Sequence, residues 1–271
     1  MKTLIVGANG FLGSRIASQS INKGWETWAV YHRKTNNIPE GCQAAKLDEI
    51  NSIKGRVERV FLSVGNHSLS SKKLIEANCK ITELFCQRYK KAKIIFVSSV
   101  AVYGSHTGII SKQSSFNNPN DYGLSKIRGE EIVAKQPRYS IVRLTYLYGK
   151  GMNKNSFLPT IINQALTKKL ITLYGDGTRK QDYLYVGDAA DLCVRVGLAK
   201  ENNIYLGVTG RSLSNLEVAK IIQKLTPSCK IKSSGINRTP SYIFKKDKAT
   251  TELGWKPKYS FEKGLKEMLS L

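Results

Sequence analysis

The sequence predicts an α/β fold: a doubly wound parallel sheet with helices on both faces, followed by a smaller α/β lobe. Three observations carry this reading. A glycine loop near the start joins an apolar run to a run with helical spacing, β-then-α units repeat through the first half, and the pattern changes after Gly151.

Thr3–Val6 is apolar and stops at glycine. Phe11–Ile21 has helical spacing and is closed by Gly24. Thr27–Tyr31 reads as a second strand, and Val57–Val64 contains a third. Leu74–Tyr89 is periodic as a helix, through Ile75, Asn78, Ile81, Leu84 and Phe85. Ile94–Ser98 and Ser140–Leu144 read as buried strands. Beyond Gly151, Phe157–Thr167 is helical, and Ile171–Tyr174 and Tyr183–Val186 are short strands. Ser214 and Glu217 have the spacing of a capping box, opening a helix through Leu225. Residues 1–150 are expected to form the cofactor-binding domain. Residues 151–271 are expected to form a substrate-binding lobe interleaved with the end of the sheet.

Composition narrows the function classes. With 41% hydrophobic and 23% charged residues the chain is ordinary for a soluble protein. No run approaches the roughly 18 apolar residues of a membrane span. The cysteines (Cys42, Cys79, Cys86, Cys193 and Cys229) are odd in number and lack a CxxC, which points away from a disulfide framework or a zinc site and toward a reducing cytoplasm. Cys79 and Cys86 lie on a helical stretch and read as core. His32, His67 and His106 are scattered and form no metal constellation. The net charge of +23 attracts anions. The cations are spread along the whole chain, which favours a solvated basic surface and phosphorylated small molecules over nucleic acid.

Gly7-Ala8-Asn9-Gly10-Phe11-Leu12-Gly13 is a GxxGxxG loop between the first strand and the first helix. Gly7 permits a tight turn, Gly10 lets backbone approach a pyrophosphate, and Gly13 lets helix and strand pack closely. The helix start then offers free amides to phosphate. This is the signature of a Rossmann dinucleotide site in its expected context. NAD sites carry an acidic residue at the end of the second strand. Here that place holds His32, Arg33 and Lys34, so the expected cofactor is NADP, with Arg33 pairing the 2′-phosphate. Asp48, past a strand around Ala45, is placed to meet the adenine edge.

Tyr122 and Lys126 are spaced as YxxxK, one turn apart on a helix face. A lysine beside a phenol is expected to lower its pKa and suit it to proton exchange near neutral pH. Ser98-Ser99 at a strand end upstream supplies a hydroxyl for the same reacting oxygen. His67 follows Val64-Gly65-Asn66, where a strand ends near the nicotinamide, and is a candidate substrate contact.

Together these residues resemble the extended short-chain dehydrogenase/reductase family, which includes sugar-nucleotide epimerases, dehydratases and reductases. The resemblance covers nearly the whole chain: GANGFLG, Asn78, SSVAVYG, YGLSK, Val142–Gly151, Tyr174–Leu192 and Glu252–Pro257. It implies Ser99, Tyr122 and Lys126 as the catalytic set, with Lys126 also holding the nicotinamide ribose. It further implies Ser98, Val64 and Gly65 beside the cofactor, a nucleotide diphosphate sugar as substrate, and a homodimer through the helices at Leu74–Tyr89 and Tyr122–Lys135. Three departures matter. Val100 and Ala101 stand where dehydratases of the family carry an Asp-Glu acid and base. Tyr146 stands where many members have Asn. Gln181, with Arg179 and Lys180 upstream, stands where many have Arg.

The leading expectation is an NADP-dependent reductase of a 4-keto sugar nucleotide, with Tyr122 as general acid. A sugar-nucleotide 4-epimerase, a reductase of another small ketone and a non-catalytic NADP sensor are the competing readings. Tyr183 and Tyr185 read as packing, and Trp255 with Pro257 as a docking element of the small lobe.

Overall fold

The computed structural model describes residues 1–65, 71–237 and 239–269. His67 lies outside them. In chain order the strands are β1 (Lys2–Val6), β2 (Glu26–Tyr31), β3 (Gln43–Lys46), β4 (Arg59–Leu62), β5 (Lys93–Ser99), β6 (Ile109–Ile110), β7 (Tyr139–Leu144), β8 (Tyr146–Tyr148), β9 (Leu170–Tyr174), β10 (Lys180–Tyr185), β11 (Asn203–Gly207), β12 (Ser212–Ser214), β13 (Lys230–Ser234) and β14 (Ile243–Phe244). The α-helices are α1 (Gly13–Asn22), α2 (Ser71–Arg88), α3 (Asp121–Val133), α4 (Phe157–Asn163), α5 (Val186–Leu198), α6 (Asn215–Leu225), α7 (Lys248–Glu252) and α8 (Phe261–Leu269).

The fold is the Rossmann type. A seven-stranded sheet runs in the order β11-β7-β5-β4-β1-β2-β3, and its neighbours pair in parallel. Its strands are continuous apolar runs because both faces are covered. On one face, α1 and α5 pack Ile16, Ala17, Leu192 and Val196 against Ile5, Phe61 and Ile95. On the other, Phe85, Cys86 and Val133 meet Leu4, Val60, Ile94 and Phe96. Cys86 is core as expected, whereas Cys79 is only half-buried. The sheet takes its last strand, β11, from the later half of the chain, and β11 lies against β7 at the edge.

The later residues also form a small sheet, β12-β10-β8, and the pair β13–β9. A separate core gathers Tyr148, Leu158, Ile171, Tyr183, Val218, Ile222 and Leu265. Tyr183 is packing, set edge-on to Tyr146 with ring centroids 5.2 Å apart. Tyr185 is half-buried and its hydroxyl donates to Glu267. The capping box at α6 forms as read: the Glu217 amide donates to Ser214 Oγ, and the Ser214 amide donates to the Glu217 carboxylate. Trp255 docks on the large sheet's own layer rather than on the small core. It is buried among residues of α1 and α5, and its indole N–H donates to Asp188 O at 3.0 Å. The Asp188 carboxylate accepts the amides of Lys258 and Tyr259.

Candidate active site

The glycine loop turns as its sequence demands. Gly7 has φ of 81°, and a Cβ there would stand 2.5 Å from Ser63 O. A Cβ at Gly13 would stand 2.1 Å from Gly7 O. Neither position tolerates a side chain without moving backbone. Gly10 closes the turn through its amide, which donates to Gly7 O at 2.9 Å. Helix α1 starts at Leu12 without a side-chain cap and has no acidic residue in its first turn. The Ser14 amide donates to Gly10 O and the Arg15 amide to Leu12 O, so the amides just ahead of them, at Leu12 and Gly13, are the ones offered to an anion. A bare backbone cradle, uncapped amides and no nearby carboxylate are what a pyrophosphate requires, so the loop fits a dinucleotide.

His32, Arg33 and Lys34 follow β2 directly and are exposed, and none pairs with a described acidic side chain. Asp48 sits across the β2–β3 edge. It is exposed and its carboxylate is held by Lys46 at 2.8 Å. That hydrogen bond keeps its pKa below the usual range, with a smaller push from the nearby His32.

Ser99 ends β5, and Tyr122 and Lys126 lie on α3. Close contacts hold that helix against the sheet. A Cβ at Gly123 would stand 2.4 Å from Ala101 O, and one at Gly129 would stand 2.2 Å from the Phe96 ring. Asn120 caps the helix by accepting the Gly123 amide. Asn78 of α2 donates to Ser125 Oγ, tying α2 to α3 behind the site. A Cβ at Gly65 would be 3.7 Å from both Lys126 Nζ and Tyr122 Oη, so Gly65 lies directly beside the two functional groups.

The protonation of this trio differs from the expectation. Burial pushes the Tyr122 phenol up to about 12, opposed by a hydrogen bond with Ser99. Lys126 does not lower it here. Its ammonium donates to Val64 O at 2.7 Å and Val97 O at 2.9 Å, and it lies 5.7 Å from the tyrosine ring centre. Burial pushes Lys126 itself down to about 8, with the Glu130 charge acting the other way.

A stability signature follows. Between about pH 8 and pH 10 the unfolded chain keeps its proton on this lysine, near the ordinary 10.5, while the folded protein releases it. The unfolded state then binds more protons, so this group adds stability as pH rises through that window. The melting temperature of wild type minus that of Lys126→Met should increase from pH 7 to pH 10, other titrating groups cancelling in the difference. A flat difference would mean the amine keeps its ordinary pKa.

A cleft of about 610 Å³ opens above these groups. It brings together Gly10, Phe11, Leu12 and Gly13 of the loop, Val64 and Gly65 after β4, Ser98, Ser99, Tyr122 and Lys126, and Tyr146 of β8. Ser98 lines it, but its hydroxyl is directed to Glu130. The Tyr146 hydroxyl is buried and makes no well-formed hydrogen bond among the described residues. Burial pushes its pKa up, and Ser156 and the Leu158 backbone lie close enough to oppose that. Gly7, Asn9, His32, Arg33, Lys34 and Asp48 lie outside the lining, as do Arg179 and Gln181. Gln181 is buried and accepts from Arg179 at 2.9 Å, and Arg179 also donates to Pro240 O. Sequence reasoning missed Thr145, Met152, Asn153 and Ser156 in the lining. Their only signal was their place just beyond β7 and β8, at the mouth of a parallel sheet.

It also missed the support beneath the site. Glu130, one turn after Lys126, pairs with Arg143 of β7 at 2.7 Å, both side chains being under 10% exposed. The same carboxylate accepts from Ser98 Oγ, and Arg143 donates on to Tyr103 Oη at 3.0 Å. Burial alone would pull the guanidinium pKa down, but Glu130 more than offsets it.

Comparison with known proteins agrees with this geometry. Residues 3–206 match the profile of the NAD dependent epimerase/dehydratase family. The chain is 30% identical to a dTDP-D-glucose 4,6-dehydratase of Dictyostelium discoideum, over 82% of its own length and 61% of that protein's. It therefore spans less than two thirds of that relative. It is 26% identical to a putative UDP-glucose 4-epimerase of Methanocaldococcus jannaschii, covering 98% of this chain and 97% of the other. A solved structure of UDP-glucuronic acid 4-epimerase from Bacillus cereus in complex with NAD shares the fold, with a TM-score of 0.85 at 21% identity over 98% of this chain and 97% of that one. Among the described residues no helix is long and apolar enough to cross a membrane.

Proposed function

Because the chain belongs to the NAD dependent epimerase/dehydratase family, we propose that it transfers hydride between a nicotinamide cofactor and a carbon of a nucleotide-linked sugar, working as an NADPH-dependent reductase of a 4-keto sugar nucleotide. The observation that carries this is the meeting of Ser99, Tyr122 and Lys126 in one cleft with the glycine loop. Residues 1–150 serve as the cofactor-binding part and 151–271 supply the substrate lobe.

The bound cofactor supplies hydride. The chain's own groups do the rest. Reduction of a carbonyl builds negative charge on its oxygen, which needs donors already aimed at it. Tyr122 gives that oxygen a proton, and Ser99 gives it a hydrogen bond. Lys126, held by the Val64 and Val97 carbonyls, stands beside the phenol where it would hold the nicotinamide ribose. Tyr146 brings a buried hydroxyl whose hydrogen bond a substrate would complete. Val100 and Ala101 cannot move protons, which argues against elimination of water, although several relatives are named dehydratases.

NADP is our reading of the cofactor, from Arg33 and Lys34 standing where an NAD site carries a carboxylate. Arg33→Ala should weaken NADPH by about 1.5–3 kcal/mol, the worth of a hydrogen bond to a charged group, and leave NADH almost unchanged. Matching titration curves for NADPH and NADH in wild type would refute the preference.

A 4-epimerase is the second reading, favoured by the names of relatives such as the archaeal protein. Incubation with NADPH and a nucleoside diphosphate 4-keto sugar separates the two: the reductase oxidises one NADPH per product. An epimerase instead interconverts sugar epimers with no net change in cofactor. If no nucleoside diphosphate protects the NADPH-loaded protein against heat, the sugar-nucleotide reading fails.

We further propose a homodimer through α2 and α3, which pack side by side and leave Leu84 and Leu124 each 41% exposed. Closed two-fold assembly is the common solution for such a face. Light scattering at micromolar concentration should give twice the 30.2 kDa of the chain, and the monomer mass would exclude it. The free cysteines accord with a reducing cytoplasm.

A further inference from the structure

Three neighbouring strands of the large sheet are entered through cations. Arg56 and Arg59 lead into β4, Lys91 and Lys93 into β5, and Arg138 into β7. All lie at the N-terminal ends of the strands, the opposite edge from the cleft.

Arg56, Glu58, Arg59, Lys91 and Arg138 line a bowl of about 230 Å³. Arg56 and Lys91 also border a neighbouring hollow that carries Arg88 and Lys90. Glu58 is the one acid in the bowl's lining, and it reaches only Arg59, at 3.7 Å. The side chains of Arg56, Lys91 and Arg138 make no hydrogen bond or ion pair with any described residue. Some cations elsewhere on this basic surface pair with acids, as in Lys46–Asp48, Arg128–Glu131 and Arg195–Asp191. Here they converge on a concavity instead.

The chain itself responds to the uncompensated charge. Lys93 sits behind the bowl with its ammonium donating to Ala199 O and Glu201 O. Burial, then the charges of Arg138 and Arg59, pushes it down to about 8. Burial pulls Arg59 down as well; the Glu58 charge opposes this, and Arg138 adds to it.

We propose that this bowl is a second anion site, which binds a multiply charged phosphate group of a free small molecule. At about 30 Å³ per water-sized group the volume suits a diphosphate and is too small for a polymer. Guanidinium groups on two sides match phosphate oxygens in paired hydrogen bonds, and Lys91 adds a point charge. Convergent walls favour a discrete anion over a flat membrane surface. The site stands apart from the cleft, so its ligand does not compete with the cofactor. Its occupancy would be felt at the end of α5, where Arg59 bonds Gly197 O and Lys93 bonds Ala199 O.

The test uses the protein saturated with NADPH, and a double variant that leaves the cleft untouched tells the bowl from the cleft. Inorganic diphosphate is titrated by calorimetry at constant ionic strength without divalent metal. One saturable site per chain is expected in wild type. The double variant Arg56→Gln, Arg138→Gln removes two exposed, unpaired charges and should bind about tenfold or more weakly, with melting temperature and NADPH affinity unchanged. Lys91 should lose reactivity toward an acylating reagent when diphosphate is present, in wild type only. Equal affinity in the variant, or no saturable binding in wild type, would overturn the proposal. So would co-sedimentation with phosphatidic acid vesicles in the absence of diphosphate binding, which would move the phosphate to a lipid.

Discussion

Replacing Tyr122 with Phe should slow hydride transfer roughly 10²–10⁴-fold, the usual worth of a positioned general acid, with NADPH affinity close to wild type. The phenol lines the cleft and is pushed up to about 12 by burial. A neutral phenol is the form needed to give a proton to a developing alkoxide. Ser99 accepts the Ala101 amide at 3.1 Å and shares a hydrogen bond with Tyr122, so it can support the same oxygen but not replace the acid. Ser99→Ala should therefore cost less than Tyr122→Phe. Lys126→Met should damage both rate and cofactor binding, because its ammonium bridges the ends of β4 and β5 beside the loop. Single-turnover oxidation of NADPH with a ketone substrate reads the chemical step alone. A Tyr122→Phe rate equal to wild type would place the proton donor elsewhere.

The second large effect is on stability. Glu130→Ala should destabilise the fold by about 3–5 kcal/mol, the range for a buried ion pair that loses one partner. The substitution strands Arg143 in the interior and also removes the acceptor of Ser98 Oγ. The damage should be specific to the lost balance of charge. Replacing the pair together, as Glu130→Leu with Arg143→Met, should recover most of the loss, since apolar replacements of a buried pair are often neutral or better. Chemical denaturation of the three proteins measures both steps. A Glu130→Ala loss below about 1 kcal/mol would mean that water or another acid reaches Arg143.

The parts of this fold that were legible in the sequence are those whose chemistry is local. The glycine loop was readable because close approach at Gly7 and Gly13 leaves no alternative residue. Tyr122 and Lys126 were readable because a four-residue step fixes two side chains on one helix face. Helix α5 was not read. Ala189, Ala190, Leu192, Cys193, Val194 and Val196 are all buried, so it carries little of the polar-apolar alternation that marks a surface helix, and Val186, taken as the end of a strand, begins it. Strand β11 is short and depends for its place on β7, far away in the chain. Glu130 gave no sign of its role because its partner, Arg143, lies on a strand, and only the packing of α3 on the sheet brings them together. The lysine effect on Tyr122 was misjudged for a related reason. Spacing places Lys126 near the phenol, but the two carbonyls that hold its ammonium belong to β5 and to the segment just after β4.

The placement of β11 also sets the order in which the molecule can be completed during synthesis. When the ribosome has released β7, the nascent chain already holds every strand of the large sheet except β11, and one side of β7 has no partner until Asn203–Gly207 emerges. For that interval an apolar strand, Tyr139–Leu144, presents an open row of amides and carbonyls, the kind of edge that recruits other chains. The whole region from β8 through α5 must be made before that edge is closed. The Trp255–Tyr259 segment fastens α5 only later still. Premature release of the chain anywhere between β7 and β11 should therefore yield a fragment that aggregates through an unfinished sheet, even though its glycine loop and its Ser99, Tyr122 and Lys126 are all present.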